Sequence, residues 1–110
     1  MNENLPDPLE RLKVLANPGA NHPRLLRAFN ELFRENAKIT GGTAGAIILE
    51  TKTGVLVGDK SHKRKGEERR RQLKKIQDQD KEEHKLTARD KQNLENVLED
   101  LDYALTFTLE

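Results

Sequence analysis

The sequence predicts an α+β domain, mostly helical, with one central β-hairpin inside a single unit of residues 1–110. Three observations lead there. Apolar residues recur at helical spacing in two long stretches, and between these stretches a glycine-rich segment carries two short apolar runs. A chain of 110 residues has room for one core and not for two. Hydrophobic residues make up 34% of the chain and charged residues 35%, so the expected core is thin and its exterior heavily solvated.

Each element follows in order along the chain. Leu9, Leu12 and Leu15 predict a short helix over residues 8–16, and Pro18-Gly19 a turn after it. Leu25, Leu26, Phe29, Leu32 and Phe33 mark an amphipathic helix, with Asn21 or His22 as its cap and Pro23 tolerated in its first turn. The texture changes at Ile39, where glycines surround two apolar runs, residues 46–49 and 55–57. Those runs read as strands joined through Thr51-Lys52-Thr53-Gly54, with Gly54 supplying a positive φ. They do not alternate with polar residues, so helices are expected on both faces, and a lone hairpin needs such packing. Glu, Arg, Gln and Lys favour a helix over residues 66–79, with Leu73 and Ile76 its only large apolar side chains. Residues 77–84 are polar enough to fray or form a loop. The last helix opens at Thr87, which starts a T-x-x-D capping box with Asp90, and Leu94, Val97, Leu98, Leu101, Ala104 and Leu105 line one face.

The chain has no cysteine, which excludes a disulfide, a thiolate nucleophile and a Cys-ligated zinc site. No apolar run reaches the length of a membrane span, and the first residues, MNENLPDPLERLK, lack the pattern of a signal peptide. Net charge is +1, but the charges are segregated. Residues 60–75 hold 9 Lys and Arg against 2 Glu, whereas residues 76–110 hold 4 positive and 10 negative groups. A basic block of this density is the footprint of a surface that meets phosphates. A charged helix folded against its acidic neighbour is the competing explanation.

Among the three histidines, His62 stands apart because Lys60, Lys63, Arg64 and Lys65 surround it in sequence. Adjacent cations disfavour imidazolium and keep more of the ring as neutral base near pH 7. An RNA backbone carries its own nucleophile, the 2′-hydroxyl. Cleavage then needs a base for that proton, cations for the charge building on the phosphate, and an acid for the leaving oxygen. One His with a few Arg or Lys and a hydroxyl suffices, without a metal. The Gly-Gly-Thr-Ala-Gly turn of residues 41–45 offers closely spaced N–H groups and the Thr43 hydroxyl to phosphate oxygens, or else is a bend; its spacing is not that of a Walker loop. His22 reads as a helix cap and His84 as a solvated residue. No set of His and carboxylate residues has zinc-ligand spacing, so no metal or cofactor is expected.

Several pieces in order carry a resemblance: Gly41-Gly42-Thr43-Ala44, Thr53-Gly54 with Val57-Gly58, His62 with Lys65, Glu68-Arg69, and the run from Asp90 to Leu105. Over residues 39–106 the chain resembles C-terminal toxin domains of bacterial polymorphic toxin and contact-dependent growth-inhibition systems. It departs from their pattern at Ser61, where an apolar residue stands, and at Ile48, where a basic or polar one stands. The resemblance implies a ribonuclease toxin acting on tRNA, delivered into the cytoplasm of a target cell and neutralised by a cognate immunity protein. For some members it also implies dependence on translation elongation factor Tu, which would present the tRNA.

The expected site therefore has His62 as base or acid and Thr43 positioning the scissile phosphate. Lys60, Lys65 and Arg69 bind phosphate or stabilise the transition state, and Glu68 orients Arg69 or His62. Lys63, Arg64, Arg70 and Lys74 extend the nucleic-acid surface. The runner-up is a non-enzymatic module whose basic segment, residues 60–75, docks on RNA or on an acidic protein. An immunity-like antagonist is a third reading, disfavoured because such a protein presents acid to a nuclease.

Overall fold

The structure, a computed structural model, describes residues 7–34, 40–58 and 61–109. Four α-helices follow a short 3-10 turn, Pro8–Arg11: α1, Pro23–Leu32; α2, Gly42–Thr53; α3, His62–Glu83; and α4, Ala88–Thr106. Among the described residues there is no strand, so the fold is all-helical and the expected α+β class with a central hairpin is corrected.

The correction concerns α2. A short apolar run between glycines is compatible with a buried strand or a buried helix, and periodicity cannot separate the two. Here the run belongs to a 12-residue helix whose residues 42–48 are all buried. It lacks an amphipathic stripe because it packs on α1, α3, α4 and the 3-10 turn at once, and a helix enclosed on every side is apolar all round. Gly54 does have positive φ, 71°, but as the left-handed residue that ends α2, its N–H bonded to the Glu50 carbonyl at 2.9 Å. The supposed second strand is an exposed loop, with Val55 66% and Leu56 50% exposed.

The other helices keep their expected places with shifted ends. α1 buries Leu25, Ala28, Phe29 and Leu32, and begins at Pro23 behind His22. α4 is capped as expected, Thr87 Oγ1 accepting the Asp90 N–H at 3.1 Å, and buries Leu94, Val97, Leu98, Leu101 and Ala104. The predicted helix over residues 8–16 shrinks to the 3-10 turn, after which Leu12 and Val14 enter the core and Leu15 stays exposed.

α3 grows the most, running from His62 to Glu83 where the sequence suggested residues 66–79. Its N-cap is Ser61, whose Oγ accepts the Lys63 N–H, and His84 ends it in the left-handed conformation. The inward stripe is His62, Gly66, Arg69, Leu73, Ile76 and Asp80, spaced alternately by four and three residues. Leu73 and Ile76 form its apolar middle, while polar residues at both ends carry it beyond the core. Gly66 lets α3 approach α2 closely, since a Cβ there would lie 2.6 Å from Ile47 Cδ1.

Candidate functional site

Four carboxylates tie the connections to the helices. Asp100 accepts the N–H groups of Lys13 and Val14, Asp90 those of Asn21 and His22, and Asp80 that of Leu86. The fourth, Glu50 in the last turns of α2, meets the start of α3, and there the candidate site forms.

Glu50 Oε1 accepts the His62 backbone N–H at 3.0 Å, and Oε2 accepts the Val57 N–H at 2.8 Å. Oε2 also lies 2.9 Å from His62 Nδ1. The Glu50 side chain is 10% exposed and that of His62 26%. Burial pushes the Glu50 carboxyl up, but the bonds from the His62 ring and from the two backbone N–H groups outweigh it and hold the carboxyl below its ordinary value. A carboxylate at the N-terminus of a helix is favoured further by the exposed N–H groups and the helix dipole. With Nδ1 engaged, Nε2 is the ring nitrogen left to exchange a proton with a ligand.

Lys65 and Arg69 lie one and two turns along α3, on the flank that faces α1. Lys65 is half-buried, and burial together with Arg34 and Arg69 draws its ammonium below the ordinary lysine value, against the pull of Glu31. Arg69 pairs with Glu31 at 3.6 Å and bonds Gln72 at 2.9 Å. His62, Lys65 and Arg69 are thus brought to one side of the helix.

The remaining expected residues are placed differently. Thr43 is 3% exposed, and its Oγ1 donates to the Leu32 carbonyl at 3.2 Å. The expected phosphate-positioning hydroxyl is therefore a core contact, and residues 41–45 form the buried start of α2 in place of an open phosphate cradle. Glu68 pairs with Arg64 at 3.6 Å on the exposed side, while the orienting carboxylate at His62 belongs to Glu50. Arg70 is bound to Asp102 of α4, and Lys74 bonds Gln77 at 3.0 Å. Lys63 and Arg64 face solvent; Lys60 lies outside the described residues. Arg70, Arg71, Lys74 and Lys75 line one end of an open groove along α3 whose other end carries Asp78 and Glu82.

Glu50, Glu31 and Arg34 are the residues that sequence reasoning missed. Glu50 ends an apolar run immediately before the Thr-Lys-Thr-Gly segment, and only as part of a helix does it turn back on the loop that follows. Glu31 is a lone acid at the polar edge of α1. Among the described residues, no three His, Asp or Glu side chains come together as metal ligands, and no helix is long and apolar enough to cross a membrane. No protein-family model matches the chain, and no curated protein or solved structure matches it either.

Proposed function

We propose that this domain is a metal-independent ribonuclease toxin that cleaves RNA, with tRNA as the favoured substrate class. The observation that carries the reading is the His62–Glu50 pair: a partly exposed imidazole held by a largely covered carboxylate at the tip of the most basic helix. Glu50 fixes the ring orientation and stabilises the imidazolium that forms when Nε2 takes the proton of a 2′-hydroxyl. The hydroxyl oxygen attacks the adjacent phosphorus, and Lys65, one turn away, stabilises the charge on the phosphate oxygens. The imidazolium formed is the nearest acid for the departing 5′ oxygen. The toxin role, delivery to a target cytoplasm, the immunity protein and the use of elongation factor Tu rest on the family resemblance. An acidic immunity surface over His62 and residues 63–71 would compete with RNA for the same charges.

A second reading is favoured by the same carboxylate. Glu50 accepts two backbone N–H groups as well as the ring, which a structural clip for the loop between α2 and α3 also requires. In that case the domain binds RNA without cleaving it. The test is cleavage of a purified tRNA pool by the parent and by His62→Gln, with and without elongation factor Tu and GTP. The nuclease reading expects a loss of about 100- to 10,000-fold for the variant. Equal rates for the two proteins, or a parent that binds RNA and leaves it intact, would reject catalysis by His62.

A further inference from the structure

On the α1 side of the candidate site two guanidinium groups converge on one oxygen. Arg34 Nη2 lies 3.4 Å and Arg69 Nη2 3.6 Å from Glu31 Oε2. The half-buried Lys65 adds a third positive charge to this cluster, so among the described residues three cations share one carboxylate. Like charges held together repel one another, most at the half-buried Lys65 and Arg69 and least at the exposed Arg34, and Glu31 offsets only part of that repulsion. Arg69 also keeps its Nε buried and, among the described residues, without a hydrogen-bond partner. Both contacts of Glu31 Oε2 are longer than strong charge-assisted hydrogen bonds, which fall near 2.7–2.9 Å. The carboxylate is thus a loose occupant of a place that suits a more highly charged oxygen anion.

We infer that Arg34 and Arg69 form a subsite for an internucleotide phosphate of the RNA strand, with Glu31 Oε2 standing where a phosphate oxygen binds and Lys65 lying between this subsite and the scissile phosphate at His62. This rests on the RNA reading of the same site. The spacing separates the subsite from the scissile phosphate at His62. Arg69 is seven residues along α3 from His62, which at about 1.5 Å per residue is about 10 Å. A stacked strand advances about 3.4 Å per nucleotide, so the two positions meet phosphates roughly two or three steps apart. Arginine suits this place because its planar fork grips a phosphate through two parallel bonds. The groove of Arg70, Arg71, Lys74 and Lys75 lies on another face of α3 and provides general attraction without a convergent oxygen position.

Inorganic phosphate is the probe, titrated at constant ionic strength against the parent domain and followed by backbone amide NMR, with chloride as control. The expected shifts centre on Glu31, Lys65 and Arg69, and Arg34→Gln with Arg69→Gln weakens binding at least about tenfold, the loss of one charge-assisted contact or more. Glu31→Gln tightens it by roughly fivefold, the effect of one unit charge at about 4 Å in water. That gain cannot arise from a variant that fails to fold. Shifts confined to residues 70–75, or affinities unchanged in both variants, would overturn the subsite. Cleavage that persists without phosphate binding at this place removes the subsite and leaves the nuclease; phosphate binding in a domain that cleaves no RNA does the reverse.

Discussion

The carboxylate of Asp90, on α4, accepts the backbone N–H of His22 at 3.0 Å, and so caps α1 from 68 positions away. It also takes the N–H of Asn21 at 3.0 Å. His22 makes no side-chain cap of its own, so α1 depends on α4 for the acceptor of the N–H groups at its start. Asp90 is 1% exposed. Its replacement by alanine leaves those donors unpaired and is expected to cost about 1.5–3 kcal/mol, read from urea unfolding, with Asp90→Asn losing less because it keeps an acceptor. Equal midpoints for Asp90→Ala and the parent would mean that α1 is capped by something else.

Acid should loosen the fold through Glu50 and Asp80. The Asp80 carboxyl is lowered from 3.8, chiefly by the Leu86 backbone bond and then by Lys91, against burial. Glu50 is lowered from 4.5 although burial opposes it. A carboxylate lowered in the folded state contributes stability that is present above its unfolded value and is lost as pH falls through the folded one. Stability is therefore expected to drop below about pH 4.5, and Glu50→Gln should flatten that drop. Asp100 acts in the opposite sense, because burial raises it against the bonds from Lys13 and Val14. Identical acid unfolding curves for Glu50→Gln and the parent would remove Glu50 as a contributor.

Leu101 sits at 1% exposure in the middle of α4, where truncation leaves a cavity among neighbours that relax only in part. Leu101→Ala is expected to cost about 2–5 kcal/mol, a large share of the roughly 5–15 kcal/mol available to a domain. Arg89, exposed near the start of the same helix, serves as the control, and Arg89→Ala should stay within about 0.5 kcal/mol. A thermal melt that does not separate the two variants would contradict this packing.

Gly42 has φ 58°, and a Cβ there would collide with the Leu32 carbonyl and lie 2.8 Å from Phe33 Cδ1. Gly42→Ala adds left-handed strain of about 1–2 kcal/mol to an overpacking cost of about 1–3 kcal/mol. A loss of about 2–5 kcal/mol in chemical denaturation is expected from these two terms. In the open turn ahead of a strand that the sequence suggested for residues 41–45 the added methyl would meet no such neighbours, so this variant separates the two architectures.

RNA affinity should fall steeply with salt if α3 neutralises phosphates. About five contacts give a slope of log K against log salt near −4.5 on a duplex stem, at about −0.9 per phosphate. Arg71 and Lys75 are exposed on the open face of α3, and reversing both to Glu should flatten the slope by about 2. An affinity that is indifferent to salt in the parent would remove the basic surface as the RNA-binding face.

Local chemistry made much of this protein legible. Thr87 with Asp90 announces the start of α4, the Leu and Phe spacing of α1 defines its buried face, and the charge block of residues 60–75 singles out α3 and His62. Each of these signals arises within a few residues, where helix period, capping and charge density act. Residues 46–49 carry no such signal, because an apolar run enclosed on all sides looks alike as strand or helix; only packing against α1, α3 and α4 makes it a helix. The same packing decides the site's composition. Thr43 is turned into the core, Glu50 is carried to His62 across 12 positions, and Glu31 is set between Arg34 and Arg69. A sequence states which groups are available to pair, but pairing between helices depends on which faces meet, and that is settled when the chain buries its apolar surface.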